Sequence, residues 1–273
     1  VALSDLIQTN AVETVSAVQA KSEAVQAYMM HHVMDSPKWT WLPNVHTELP
    51  FNLTVDAIMV IAVAVLLALV LGLTARRAQP VPTGLLNVLE AFAKYIRNEM
   101  VIPFLGEEDG RKMAPMFCTL FFFILVMNLA GLIPCFYTAT ANLGVTAALA
   151  LITLGFMIFG GIYRNGLVAF CKGFAPPGIP KLMLIMIVPI EVLSMFIRAM
   201  ALAIRLFANM LAGHLVIYSL LGMMVMFGYF IASPALLGAL GIYLLEVFVS
   251  FLQAYIFTLL SAIFIGERYH PAH

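Results

Sequence analysis

Hydrocarbon offers no partner to open backbone N–H and C=O groups, so a spanning helix needs ~20 mostly apolar residues. Three stretches meet that requirement as single spans: Ala57 to Ala75, Ala114 to Ile133 and Asn142 to Tyr163. From Leu182 to Gly266 the chain is apolar for 85 positions, interrupted, tyrosines aside, by Glu191, Arg198, Arg205, His214 and Glu246. At ~1.5 Å of rise per residue this run exceeds two perpendicular spans. It predicts two long, strongly tilted helices, broken around Gly228 to Pro234. Between the first two spans, Leu85, Leu89, Phe92 and Ile96 recur at helical spacing, with Glu90, Lys94, Arg97 and Asn98 elsewhere on the wheel. That pattern predicts an amphipathic helix over Leu85 to Met100 lying in the membrane interface. A charged loop in water, Gly106 to Lys112, should follow it.

Residues 1–50 are more polar and read as an extension separate from the membrane domain at 51–273. Val12, Val15, Val18, Val25 and Met29 suggest a moderately amphipathic helix closed by Asp35-Ser36-Pro37, with Trp39 and Trp41 as interface anchors. Adjacent His31 and His32 point about 100° apart on a helix, which suits solvation better than a shared metal. Because the chain opens on Val1, an initiator or targeting segment is expected to have been removed.

Composition agrees with the spans. Hydrophobic residues make up 63% of the chain and charged ones 10%, with mean hydropathy +1.00, which is no water-exposed surface. Equal numbers of acidic and basic residues leave no field for nucleic acid. Cys118, Cys135 and Cys171 have neither disulfide nor zinc spacing and read as small hydrophobes. The basic residues are lopsided. Ten lie on one side of the spans, within 76–112, 164–181 and at Arg268, against Lys21 and Lys38 on the other. The positive-inside rule then places the N-terminus outside and the C-terminus inside. The fold expected is an all-α polytopic membrane protein with five crossing helices and one interfacial helix.

Each ionisable group in hydrocarbon costs ~2.5–3.5 kcal/mol on insertion scales, so intramembrane charges are functional candidates. Glu191, Arg198 and Arg205 are seven residues apart and drift only ~20° per step, with Ser194 and Asn209 close to the same line. Tyr243, Glu246, Ser250 and Gln253 share one face of the last helix. Two facing polar stripes can line a water path. His214, nine residues beyond Arg205, points to the opposite side of its helix and should open to a different aqueous space. Pairing Glu191 with Arg198 and His214 with Glu246, as glue between helices, is the plainer reading. It leaves Arg205 without a carboxylate, and a guanidinium cannot shed its charge. The counter-ion would then sit on another subunit.

The segment Arg205-Leu206-Phe207-Ala208-Asn209-Met210-Leu211-Ala212-Gly213-His214, with Glu246 and Gln253 downstream and Pro189-Ile190-Glu191 upstream, closely resembles the subunit a family of F-type ATP synthases over about residues 50–270. The resemblance implies a stator against a rotating ring of c subunits, with two offset half-channels. Arg205 is implied as the essential stator charge, flanked by Asn209 and Gln253. His214 and Glu246 are implied in the outer half-channel, Glu191 and Ser194 in the inner one, and Arg198 and Glu267 as accessory polar positions. Other partners implied are peripheral-stalk and membrane-sector subunits and lipid; no cofactor, metal or nucleic acid is expected. Many bacterial members carry an acid at the position of His214 and a histidine at that of Glu246. The order here looks like the mitochondrial branch, which leads to the inner mitochondrial membrane as the expected location, with the bacterial plasma membrane as the alternative. Nucleotide chemistry must lie elsewhere, since there is no GxxxxGK[ST] in the chain. A self-contained ion-coupled transporter is the rival reading, but the inverted repeats common in such proteins are not seen.

Overall fold

A computed structural model describes residues 54–76, 84–133, 138–174, 180–227 and 229–270, the segments 38–42 and 45–48, and positions 16, 19, 20, 22 and 23. Strands β1 (Lys38–Leu42) and β2 (Val45–Glu48) pair antiparallel in the N-terminal extension, and β1 contains Trp39 and Trp41. This pair was not expected from the sequence. The five isolated positions between 16 and 23 are helical. Val12, Val15, Val18, Val25, Met29, the His31/His32 pair, Asp35-Ser36-Pro37 and Cys135 lie outside the described residues.

Helix follows helix through the membrane domain: α1 (Val55–Arg76), α2 (Leu85–Tyr95), α3 (Ile102–Leu105), α4 (Glu107–Leu132), α5 (Leu143–Gly155), α6 (Gly161–Asn165), α7 (Leu167–Lys172), α8 (Lys181–Phe227) and α9 (Tyr229–Tyr269). Five helical stretches are long and apolar enough to cross a membrane: Val55–Thr74, Glu107–Leu132, Leu143–Asn165, Leu182–Met224 and Ser233–Tyr269. The domain is therefore an all-α polytopic membrane protein, as the apolar runs require. Helix α8 has 47 residues and α9 has 41. At ~1.5 Å per residue each is about twice the ~30 Å hydrocarbon thickness. α8 is described to Phe227 and α9 from Tyr229, and Pro234 lies inside α9.

Two local expectations need correction. The segment Glu107 to Lys112 is not a loop but the first turns of α4. Gly106, at φ 78, makes the sharp entry. Glu107, Glu108 and Asp109 then meet the positive end of the helix dipole. Arg111 and Lys112 pair with Glu107 and Glu108 at 2.7 and 2.8 Å, one turn back. The surface helix is also not continuous to Met100. It ends at Tyr95 and passes through a wider π-helical turn over Ile96–Val101 before α3. That turn sends Ile96, Met100 and Val101 fully into the core, whereas Phe92 of the same apolar stripe stays 37% exposed.

The main core joins the turn after α2 to α4, α8 and α9 through Ile96, Phe117, Ile124, Leu202, Leu206 and Phe257. Exposed apolar side chains line the outward faces of α8 and α9, among them Leu193, Ile197, Ile204, Leu244 and Phe248. Cys118 is half-buried and Cys171 exposed.

Candidate functional site

At one end of the helical bundle α4 finishes at Leu132 and a 3₁₀ turn over Ala139–Ala141 leads into α5. Asn142 caps α5 by accepting from the Gly144 N–H, and its amide donates to Asp56 at the start of α1, at 2.8 Å. Against this junction α8 presents His214, which is buried. Its Nδ1 lies 2.9 Å from the Met210 carbonyl and 3.7 Å from Oε1 of Glu246. Its Nε2 lies 3.0 Å from the Gly131 carbonyl and 2.8 Å from the Thr138 hydroxyl. With the proton on Nδ1, the imidazole donates to Met210 and accepts at Nε2 from Thr138. Doubly protonated, it donates to carbonyls at both ends.

Glu246 comes from α9 and is 6% exposed, yet neither carboxylate oxygen has a hydrogen-bond partner among the described residues. It borders a cleft of about 190 Å³ with Asn209, Met210, Gly213, Val216 and Ile242. Gly213 is there because the carboxyl needs its space: a Cβ at 213 would collide with Glu246 Oε1 and come within 2.7 Å of its Cδ. Gly213→Ala should displace Glu246 from His214 and lower proton entry roughly tenfold or more. Rates of ATP-driven proton pumping per assembled complex would check this, and an unchanged rate would show that the approach is incidental.

Arg205 is exposed on α8, nine residues or ~14 Å of helix before His214. Among the described residues it forms no hydrogen bond or ion pair. Gln253 is buried on α9, and half-buried Ser194 and Asn209 share the α8 stripe. Tyr243 is half-buried. Ser250 is buried and its hydroxyl donates to the Glu246 carbonyl at 2.8 Å, so it serves its own helix.

A second polar cluster lies near the start of α8 and the end of α9. Glu191 does not pair with Arg198, as the plainer sequence reading had it. Side chains seven residues apart on one helix stand two turns apart, and each instead meets a charge on α9. Glu191 accepts from Arg268 Nη2 at 2.6 Å, and Arg198 pairs with Glu267. Close by, Arg164 and Asp109 join α6 to α4 at 2.8 Å. Asn165 donates to the carbonyls of Arg268 and Tyr269, which anchors the end of α9. The His214–Glu246 pairing is present as expected.

The family model described as ATP synthase A chain matches residues 57–266. The chain belongs to the ATP synthase subunit a family. It is similar to ATP synthase subunit a of Anaeromyxobacter dehalogenans strain 2CP-C, 40% identical over 270 residues that cover 89% of this chain and 70% of that one. The protein of strain 2CP-1 is 47% identical over 70% of this chain, which spans half the length of that relative. The protein of Myxococcus xanthus is 42% identical over 82% of this chain and 75% of its own. Membership makes this chain a proton-translocating membrane-sector subunit and sets aside the self-contained transporter. These relatives are bacterial, which corrects the mitochondrial branch expected from His214 and Glu246. The order was a poor marker for a physical reason: one acid and one imidazole in a shared pocket have the same chemistry whichever helix carries which.

Sequence reasoning missed two buried polar groups, one in α4 and one in the 3₁₀ turn before α5. Asn128 of α4 is fully buried with neither amide atom hydrogen-bonded among the described residues, and the Thr140 hydroxyl is in the same state. Asn128 stands one turn before Gly131, whose carbonyl faces His214. An amide inside an otherwise apolar span was the available signal.

Proposed function

We propose that this chain is the stator of an F-type ATP synthase in a bacterial plasma membrane, with its N-terminus outside. In this reading it forms two offset half-channels against a c ring. The observation that carries the proposal is the separation of two polar ends by a cation with no ion pair among the described residues. His214 and Glu246 lie at one end and Glu191 at the other. Between them stands exposed Arg205 on the same helix.

A proton enters from outside through the pocket of His214 and Glu246, beside the Thr138 hydroxyl. From Glu246 it reaches a ring carboxylate at the cleft shared with Asn209. Neutralised, that carboxyl can enter lipid cheaply. After nearly a full turn it meets the inner path beside Glu191 and Ser194, with Arg198 and Glu267 at its border, and releases its proton. Arg205, flanked by Asn209 and Gln253, favours the ionised carboxylate as it passes and its fixed charge blocks direct leakage between the paths. One charge crossing 100 mV yields ~2.3 kcal/mol, so several translocations must be coupled to make one ATP. The ring and the peripheral stalk are the partners this role requires.

Single cysteines along α8 and α9 test the two paths. Water-soluble thiol reagents should reach positions near Glu191 and Ser194 only from inside and positions near His214 and Glu246 only from outside. One set labelled from both sides would mean a continuous pore, and recovery of the complex without a c ring would remove the stator role.

A further inference from the structure

We propose that Arg268 is a positioning residue of the inner proton-release path: its guanidinium fixes Glu191 in place and keeps a permanent cation beside it. The proposal deepens the half-channel reading and rests on Glu191 belonging to the inner path. Arg268 lies next to the end of α9, where a basic residue would ordinarily be solvated, yet its side chain is 7% exposed, against 37% for its partner Glu191. Nη2 donates to Glu191 Oε1 at 2.6 Å, and the guanidinium carbon sits 4.5 Å from the centre of the Phe174 ring. The Nε–H has no acceptor among the described residues. Hydrogen bonds from Asn165 to the carbonyls of Arg268 and Tyr269 hold the backbone from which the side chain reaches inward.

As glue this is a poor arrangement. Burying a guanidinium for one carboxylate contact, with a donor left unsatisfied, sacrifices hydration that the pair does not fully restore. As a device for proton release it is well made. The cation cannot be lost, because a guanidinium stays protonated in any surroundings. Ring stacking fixes the plane of the fork and so the direction of Glu191. The contact uses one oxygen of Glu191, whose side chain stays 37% exposed. Glu267 with Arg198 completes two crossed ion pairs between α8 and α9. The inner path is thereby lined by two acids and two cations, and a released proton meets a balanced cluster and not an isolated anion that would retain it.

The test uses vesicles carrying the whole ATP synthase, with synthesis measured at fixed proton-motive force per complex containing both this chain and the c ring. Arg268→Gln and Arg268→Met should each slow synthesis about tenfold. Arg268→Lys, which keeps the charge, should stay within about threefold of wild type. Glu191→Gln should also be slow, and adding Arg268→Gln to it should cost nothing further, because the cation then has no carboxylate to position. Losses that multiply in the double variant, or failure of both neutral variants to assemble, would assign Arg268 a packing role and overturn the proposal. Slow Glu191→Gln beside unimpaired Arg268→Gln would overturn it alone. A wild-type rate for Glu191→Gln would instead overturn the inner-path reading beneath it.

Discussion

Arg205→Ala or Arg205→Gln is expected to abolish proton-driven ATP synthesis while leaving the complex assembled. The side chain is exposed on α8 and forms no ion pair among the described residues, so its removal disturbs no packing within this chain. Under the proposed function, what is lost is a fixed positive charge at the face where ring carboxylates would pass. Without it, nothing favours the ionised carboxyl at the boundary between the paths, and protons can cross directly from one to the other. Arg205→Lys should fail too. An ammonium is a point charge that can give up its proton when desolvated, whereas the guanidinium cannot. Synthesis rate and passive proton leak, measured in the same vesicles, decide the matter: near-normal synthesis by Arg205→Ala would remove the stator-charge role.

The second large effect belongs to His214 and Glu246, whose facing atoms lie 3.7 Å apart in a buried pocket. Under the proposed function, groups this close act together. Replacing either, as His214→Ala or Glu246→Gln, should slow proton entry about a hundredfold, the lower end of what a positioned proton-transfer group contributes. The membrane should not become leaky, because Arg205 is untouched. The exchange His214→Glu with Glu246→His restores one acid and one imidazole to the pocket and should recover part of the loss. Gly213 leaves room for a carboxyl arriving from α9, so recovery will be incomplete. The measurement is ATP synthesis at fixed proton-motive force for wild type, both singles and the exchange. Losses that simply multiply, with no recovery, would show that the two do not act as one relay.

The sequence by itself determined the membrane class, the five crossings, the lopsided basic residues and the α8 stripe of Glu191, Arg198 and Arg205. These are properties of single segments: hydrocarbon excludes unsatisfied backbone, and a period of 3.6 residues decides which side chains share a face. The family was legible in the same way, from the resemblance carried by the contiguous run Arg205 to His214 with Glu246 and Gln253 on one later helix. Which charge meets which was not legible. Glu191 and Arg198 looked like partners because they share a stripe, but their contacts are Arg268, 77 residues away, and Glu267, 69 away. Contacts across such distances depend on how α8 and α9 cross, and no local period encodes that. The burial of Arg268 likewise comes from Phe174 and from the grip of Asn165 on the end of α9. Around His214, only the seating of α8 against α5 and the turn over Ala139–Ala141 brought the Gly131 carbonyl and the Thr138 hydroxyl onto the ring. Intramembrane charges announce themselves one at a time, because each is costly in hydrocarbon; their pairing is decided between helices, where geometry selects among several partners of nearly equal chemistry.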